Sequence, residues 1–459
     1  MSGGKICVGL VASVLASAAL ATVPPAPTKA SSRSARPNVL VILTDDQRAT
    51  GTLRAMPALR RFFLRKGTYF DRAVVSTPLC CPSRASIFSG RYAHNHSVLR
   101  HTGRTEGRKL DQSTTLQSQL ARAGYKTAYF GKYMNSWPLA GNPPYFDRFA
   151  IMRKGRKYHR AKMNVNGSLR RIKRYTTTYL TRRSLRFLAS AEARDRRPWL
   201  LFIAPNAPHA PFTAARAHAH APVGTAPTPR VVEVDRRDKP AFTRRNRVEP
   251  AKAAAVRAGQ LRALMSVDDM IEDVMRKLTQ LEESRNTIAI FLSDNGYLWG
   301  EHGLVGKMVP YTESVRVPLV LRWPGRVATG AVDHRTAANI DVAPTVLDAV
   351  GLEPAAPMDG DSLLRSWSRP EMLFEYWSVH RRPTWASLRT AGYQYTEYYE
   401  DYAGTAVKFR EYYDLRSDPP QLENLLADGN SRNDPRRARL ERLSDELRRL
   451  RACAGPTCP

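Results

Sequence analysis

The segment PNVLVILTDDQ, residues 37–47, decides the fold. Its centre, Val39 to Leu43, is an unbroken apolar run of the kind that forms a strand buried on both faces. The run ends at Thr44 and two consecutive carboxylates, Asp45 and Asp46. Ligands of open α/β sheets bind beyond the carboxyl ends of parallel strands, so the segment predicts a central strand that ends in a polar site.

A second segment, NTIAIFLSDNGY at residues 286–297, follows the same plan, because Asp294 and Asn295 come directly after an apolar run. If the two strands are neighbours, their terminal oxygens converge, and the crowded carboxylates repel each other unless a cation neutralises them. Carboxylate and amide oxygens favour Ca²⁺ or Mg²⁺. A helix cap or turn explains either pair alone, but the repetition after a second buried strand favours a metal site.

Four cationic side chains are candidates for the same site. They are Arg84, Lys132, His209 and Lys307. Lys132 follows a strand candidate over residues 127–130, and His209 follows another over residues 199–204. A lone lysine or histidine in a loop is ordinarily a surface or structural residue. Arranged around one metal, however, the four would form a pocket for a tetrahedral anion.

The segment STPLCCPSRASIFSGRY, residues 76–92, contains two adjacent cysteines, Cys80 and Cys81, which cannot bond each other without strain. A helix that begins at Pro82 would place Cys80 at its N-terminus, where the dipole and Arg84 favour an acidic, reactive thiol. At the C-terminus, a Gly-Pro turn separates Cys453 from Cys458. This pair predicts a small disulfide in an oxidising compartment; zinc is the poorer alternative, since no histidine lies nearby in sequence.

The remaining pattern indicates an α/β fold with a large, mainly parallel or mixed sheet sandwiched by helices. Helices are predicted over residues 116–123, 178–194, 253–283 and 342–350, between the strand candidates. Such alternation is typical of α/β proteins. From about residue 370 the chain has aromatic-rich strand candidates and a charged helix over 435–451, and its tyrosines favour strand packing over a sugar-stacking surface.

Composition restricts the class of protein. An apolar fraction of 42% in 459 residues excludes wholesale disorder. A short apolar run that ends in Ala-Leu-Ala predicts a signal peptide over residues 1–21, followed by a linker over 22–36. With no second apolar run long enough to cross a membrane, the sequence predicts a secreted soluble protein. The net charge of +31 indicates either attraction to polyanions or an arginine-rich solvated surface, and the basic segments 153–162 and 235–247 could guide a polyanionic glycan.

Taken in order, these segments resemble the sulfatases, formylglycine-dependent enzymes with an alkaline-phosphatase-like fold. PLCCPSRASIFSG is similar to the sulfatase signature C-x-P-S-R. The segments PNVLVILTDDQ, GYKTAYFGKYMN, APHAPF, SDNGY, VPLVLRWPG, NIDVAPTVLDAVG and EYYDLRSDPPQLENLL stand in family order around it. LCCPSRASI, GRYAHNH, GKYMN and LMSVDDMI look closest to the N-acetylglucosamine-6-sulfatase branch.

The resemblance implies a mechanism and a set of site residues. One Ca²⁺ would be held by Asp45, Asp46, Asp294, Asn295 and the modified Cys80. A formylglycine-generating enzyme would convert Cys80 to an aldehyde whose hydrate attacks sulfur. Arg84 would hold the hydrate, Lys132, His209 and Lys307 would bind sulfate, and His209 or Lys307 would protonate the leaving oxygen. His94 and His96 would line the substrate cleft.

The resemblance also implies a catalytic domain over residues 37–369 and a smaller C-terminal subdomain over 370–459, with an antiparallel sheet and a helix. The expected substrate is a sulfated saccharide, such as a 6-O-sulfated N-acetylglucosamine, or an aryl sulfate, with no specific nucleic acid partner. Two positions depart from the usual pattern: Met134 replaces a histidine found in many sulfatases, and Ser89 precedes the signature glycine. The alternatives are a phosphonate monoester or phosphodiester hydrolase of the same superfamily and a non-catalytic polyanion-binding protein.

Overall fold

The computed structural model describes residues 1–6, 9, 36–103, 106–193, 197–224, 233, 235–379 and 382–459. Residues 34–459 form one compact unit. Most of the predicted signal peptide and linker lies outside the described residues. Within the described ranges, no helix combines the length and apolar character needed to cross a membrane.

Two sheets and a short ribbon contain all the strands of the described chain. The strands are β1 (Asn38–Thr44), β2 (Thr68–Phe70), β3 (Lys126–Lys132), β4 (Arg148–Met152), β5 (Ala161–Val165), β6 (Ser168–Ile172), β7 (Trp199–Ala204), β8 (Thr287–Ser293), β9 (Leu298–Trp299), β10 (Val305–Gly306), β11 (Leu319–Arg322), β12 (Ala331–Asp333), β13 (Glu371–Tyr376), β14 (Thr384–Thr390), β15 (Tyr393–Tyr399) and β16 (Val407–Asp414). The large sheet has ten strands in the order β12-β2-β11-β8-β1-β7-β3-β4-β5-β6.

The predicted α/β class is confirmed, because helices cover both faces of this sheet. The helices are α1 (Pro57–Leu59), α2 (Cys80–Ser89), α3 (Ala93–His96), α4 (Leu116–Arg122), α5 (Thr176–Glu192), α6 (Ala241–Arg244), α7 (Pro250–Gln280), α8 (Thr312–Val315), α9 (Val342–Ala349) and α10 (Arg437–Leu450). Alternate residues of β1 point to opposite faces. Val39 and Val41 join the core under α2, α4 and α9, whereas Leu40 and Ile42 join the core under α5 and α7.

Strand pairing at the centre of the sheet positions the site. β1 is parallel to both β8 and β7, and Thr44 is level with Ser293. β3 pairs in parallel with β7 on the far side. The chain therefore leaves β1, β3, β7 and β8 at one edge of the sheet, and the segments that follow these strands meet there.

The C-terminal part forms a separate four-stranded antiparallel sheet, β13-β14-β15-β16. Its tyrosines Tyr395 and Tyr398 are buried in a core that includes Leu443 and Leu447 of α10, as expected for strand packing. That core also contains Leu79 from the segment before α2. The predicted domain boundary at residues 369 and 370 falls just before β13, and it stays a prediction.

Candidate active site

The four predicted oxygen ligands meet at the end of β1 and β8. The Asp46 backbone amide donates a hydrogen bond to Asp294 Oδ1 at 3.2 Å, and Asn295 Nδ2 donates to Asp46 Oδ1 at 2.8 Å. All four side chains, including that of Asp45, are buried. The parallel pairing of two buried strands thus produces the convergence that their similar sequences predicted.

Each carboxylate contacts one cationic side chain. Lys132 Nζ lies 2.6 Å from Asp45 Oδ2, and Arg84 Nε lies 2.8 Å from Asp294 Oδ2. Lys307 Nζ donates to Asp46 Oδ1 and, at 3.0 Å, to Asn295 Oδ1. The cluster therefore pairs three acidic side chains with three basic ones, all of them buried.

The pKa values of the carboxyl groups follow from this arrangement. Burial by itself raises the pKa of Asp45, but the charge of Lys132 and weaker contributions from His209, Arg84 and Lys307 reverse the effect, and the pKa falls far below its ordinary value. Lys307 and His209 likewise lower the pKa of Asp46 against the effect of burial. The pKa of Asp294 is raised, because burial and the charge of Asp45 outweigh the attraction of Arg84.

This donor set fits a hard divalent cation. Ligand atoms of Asp45, Asp46, Cys80 and His209 all lie within 4.8 Å of one another. Asp294 and Asn295 are bonded to the same cluster. Three carboxylates and an amide provide the oxygen ligands that Ca²⁺ prefers.

Cys80 is the first residue of α2 and faces this cluster. Its Sγ lies 2.7 Å from Lys307 Nζ and 3.6 Å from Asp45 Oδ1. Burial raises the pKa of the thiol to about 12, despite the opposing charges of Lys132 and Lys307. The raised pKa disagrees with the expectation of an acidic thiol, because desolvation outweighs the charges of the nearby lysines. An unmodified Cys80 is a poor nucleophile near neutral pH.

Arg84 lies one helical turn beyond Cys80 and is fully buried. Besides its bond to Asp294, its Nη1 donates to the Lys132 carbonyl and to the Tyr129 hydroxyl. Its Nη2 is buried and has no hydrogen-bond partner within the described chain. Because buried donors are nearly always satisfied, this nitrogen is available for an oxygen that the unmodified side chains do not supply.

A cavity of about 330 Å³ opens above these residues. Its lining includes Cys80, His209 and Lys307, whereas Lys132 lies beneath it and is fully buried against Asp45. His209 Nδ1 donates to the Ala210 carbonyl at 2.8 Å, since a carbonyl oxygen only accepts. Because Nδ1 is engaged in this bond, Nε2 is the ring nitrogen that remains for contacts in the site. It lies 3.8 Å from Asp46 Oδ2.

The structure places His94 and His96 elsewhere. His94 Nδ1 lies 2.8 Å from Glu375 Oε2, and its Nε2 lies 2.9 Å from the Cys453 carbonyl. His96 Nε2 lies 3.1 Å from Ser86 Oγ in the core. Gly90 ends α2 in a left-handed conformation; beyond the following turn His94 contacts the C-terminal part, whereas His96 remains against α2. They join parts of the fold, and the expectation that they line the cleft needs correction.

Cys453, whose carbonyl contacts His94, forms a disulfide with Cys458.

Met134, at the position of the expected histidine, is buried in the core. Among the residues that line the cavity, sequence analysis did not single out His101, which lies in no motif, or Asn135, which ends the GKYMN segment. Three basic residues of the segment 153–162 line it as well: Arg153, Lys154 and Arg156.

Comparisons with known proteins agree with this geometry. The family model described as Sulfatase matches residues 37–352, and the model described as N-sulphoglucosamine sulphohydrolase, C-terminal, matches residues 300–451. A putative extracellular sulfatase Sulf-1 homolog of Caenorhabditis elegans is 35% identical over 354 residues, which cover 71% of this chain and 48% of that protein. This chain thus spans about half the length of that relative.

The N-acetylglucosamine-6-sulfatase of Homo sapiens is 30% identical over 487 residues, which cover 92% of this chain and 86% of that protein. A solved structure of a protein in complex with its substrate, D-glucosamine-2-N,6-O-disulfate, superimposes with a TM-score of 0.78 at 21% identity. The match covers 90% of this chain and 97% of that one. At this level of identity, the superposition establishes the shared fold.

Proposed function

Because the chain belongs to the sulfatase family, a family of sulfuric ester hydrolases, we propose that it is a secreted enzyme that removes sulfate from a sulfated saccharide. The observation that carries the proposal is the placement of Cys80 among the cations and carboxylates of one buried cluster. Lys307 Nζ contacts both Cys80 Sγ, at 2.7 Å, and the oxygen ligands of Asp46 and Asn295. A residue at position 80 therefore faces the place where an anionic ester would bind.

The cofactors of this proposal are one Ca²⁺ and a formylglycine derived from Cys80. When present, the metal supplies Lewis-acid polarisation of a sulfate oxygen, and the aldehyde hydrate supplies the nucleophile. Asp45, Asp46, Asp294 and Asn295 would hold the ion. The raised pKa of the Cys80 thiol supports a modified residue over a cysteine nucleophile.

Arg84 has a specific role in this proposal. Its unpartnered Nη2 would donate to an oxygen at position 80, which lies one turn earlier on the same helix. Its Nε remains bonded to Asp294 and fixes the guanidinium plane. A thiol gives this donor only a weak acceptor, whereas a hydrate oxygen satisfies it.

Lys307 and His209 line the cavity and would contact the sulfate group. With Nδ1 anchored to the Ala210 carbonyl, a protonated His209 would deliver its Nε2 proton to the leaving oxygen. Lys132, by contrast, does not line the cavity, because its side chain is fully buried against Asp45. It is a positioning residue that keeps Asp45 ionised and oriented.

The proposed substrate is a 6-O-sulfated glucosamine residue. The support is the similarity to N-acetylglucosamine-6-sulfatases over more than nine-tenths of the chain. Secretion is supported by the predicted signal peptide and by the relatives named as extracellular sulfatases. A phosphonate monoester hydrolase and a non-catalytic polyanion-binding protein are the alternatives.

Peptide mass spectrometry and kinetics test the proposal. Trypsin releases residues 73–84, which contain Cys80 and Cys81. In the active enzyme, alkylation is expected at Cys81 alone, with a carbonyl at position 80. The Cys80→Ala variant should lose turnover of glucosamine 6-O-sulfate, whereas Cys81→Ala serves as the matched control, since Cys81 Sγ accepts only structural contacts such as the Asn135 amide at 3.0 Å.

Full activity with two free thiols would refute the formylglycine mechanism. A higher kcat/KM for an aryl phosphonate than for any sulfate ester would favour the first alternative. Salt-sensitive glycan binding that survives Cys80→Ala, with no turnover of any ester by the wild-type protein, would favour the second.

A further inference from the structure

A basic loop, residues 153–157, rests directly on the active site. The Gly155 carbonyl accepts a hydrogen bond from Asn206 Nδ2 at 2.9 Å, and Gly155 has a left-handed φ of +60°. A Cβ at this position would lie 3.0 Å from Lys132 Cδ and 3.2 Å from Asp45 Oδ2. The loop backbone is therefore in contact with the residues that position the proposed metal site.

The loop is also fastened at its C-terminal side. Tyr158 is buried, and its hydroxyl donates to the His209 carbonyl at 2.6 Å. Asn206, which holds Gly155, is itself held by the Thr176 hydroxyl at 2.7 Å. Both attachments lead to the segment after β7, so the loop has a defined position relative to His209.

The side chains of this region present positive charge without compensation. The segment 153–162 contains six exposed arginines and lysines: Arg153, Lys154, Arg156, Lys157, Arg160 and Lys162. None of them forms an ion pair with a described acidic residue. Other exposed arginines of the protein do have partners; Arg237 binds Asp235 and Arg416 binds Asp414. A fixed, uncompensated basic cluster attracts anions more strongly than charge that is already paired.

Two cavities share this loop. The cavity above Cys80 and a second one of about 410 Å³ are both lined by Arg153, Lys154 and Arg156. The second cavity adds Lys157 and Lys162 and has apolar side chains, Leu139 and Met152, on its wall. An apolar wall with a cationic rim suits a sugar ring that carries an anionic substituent.

We propose that the loop 153–157, with Lys162, forms a subsite for a second sulfate group of the same saccharide whose first sulfate reacts at position 80. The proposal rests on the proposed function and deepens it: the preferred substrate carries at least two sulfate groups. Because Arg153, Lys154 and Arg156 line both the Cys80 cavity and the second cavity, an anion bound by this loop lies next to the group at position 80, which favours a part of the same substrate over a separate polyanion.

The test compares glucosamine 6-O-sulfate with glucosamine 2-N,6-O-disulfate for the wild-type enzyme and for the double variant Arg153→Gln, Arg156→Gln. The measured quantity is the ratio of kcat/KM for the disulfate to that for the monosulfate. The wild-type ratio should exceed one, and the variant should lower it by about tenfold or more, as expected for lost charge-assisted hydrogen bonds. The control is Arg170→Gln, Arg171→Gln, which removes two exposed charges from β6, outside the lining of both cavities.

Equilibrium binding of the same two sugars separates this inference from the proposed function. If the wild-type enzyme hydrolyses neither sugar but binds the disulfate more tightly, and the loop variant loses that preference, the subsite stands and the proposed function fails. If the enzyme hydrolyses both sugars with a ratio near one, or if loop and control variants lower the ratio equally, the subsite is overturned and the proposed function stands.

Discussion

Replacing Lys132 with methionine tests the charge balance of the site. Lys132 and Asp45 are both fully buried, with 2.6 Å between Nζ and Oδ2. Removing one partner of a buried ion pair leaves an uncompensated charge and costs about 3–5 kcal/mol of unfolding free energy. For a protein of this size, the loss corresponds to a decrease in Tm of about 3–5 °C.

Calcium should reverse part of this loss. The ammonium of Lys132 contacts an oxygen of Asp45 that we assign to the metal. In the variant, the ion no longer competes with that ammonium and meets one more unneutralised charge, so it should bind more tightly. A ligand at 100 times its Kd stabilises the folded state by about 2.7 kcal/mol. Saturating Ca²⁺ should therefore raise the Tm of the variant more than that of the wild-type protein.

The assay is thermal unfolding followed by circular dichroism, first in EDTA and then with increasing Ca²⁺. Lys173→Met is the matched control, because Lys173 is exposed and its loss should change neither the Tm nor the calcium response. An equal or smaller calcium-induced increase in Tm for Lys132→Met would refute the assignment of Asp45 to a metal site. An unchanged Tm in EDTA would refute the charge argument itself.

Two further predictions concern backbone fit and pH. Gly155→Ala should reduce kcat/KM, because the added Cβ would press on Lys132 and Asp45. Gly167→Ala is the control: its left-handed backbone costs the same, about 1–2 kcal/mol, but its Cβ would have no neighbour closer than 3.8 Å, so this variant should keep its activity. Equal activities of the two variants would contradict the prediction. Burial lowers the pKa of His94, but Glu375 more than reverses this and raises it to about 9. Wild-type protein should therefore exceed His94→Gln in stability by about 2–3 kcal/mol below pH 6.5, with the difference lost as the pH rises through 9. Urea unfolding at pH 6 and pH 9.5 measures it, and a difference independent of pH would rule out the ion pair.

The central strands and the metal-site candidates could be predicted because their signals are local. An apolar run that stops at paired oxygen side chains identifies a buried strand and the group at its end, as in β1 with Asp45 and in β8 with Asp294. Helix α7, predicted over 253–283, extends over Pro250–Gln280 in the structure. Periodicity locates such elements, but helix ends depend on caps and neighbours.

Other features depend on contacts between distant parts of the chain. His94 has no local signal for its place, because its partner Glu375 is 281 residues away. The same holds for the loop 153–157, whose anchor Asn206 lies 51 residues beyond Gly155. The pKa of Cys80 also depends on distant contacts: the helix N-terminus is visible in the sequence, whereas the burial that raises the pKa of the thiol is not.

The burial of Cys80 has a consequence for the order of events during biosynthesis. Its side chain is 2% exposed and is covered by Lys307, a residue 227 positions later in the chain. If Cys80 is converted to formylglycine, as we propose, the modifying enzyme has to reach the thiol while the C-terminal half is still being made or is still unfolded. On this proposal, a molecule that folds with an unconverted cysteine can no longer be modified once Lys307 covers the thiol, so the active fraction of a preparation would depend on the rate of modification relative to the rate of folding.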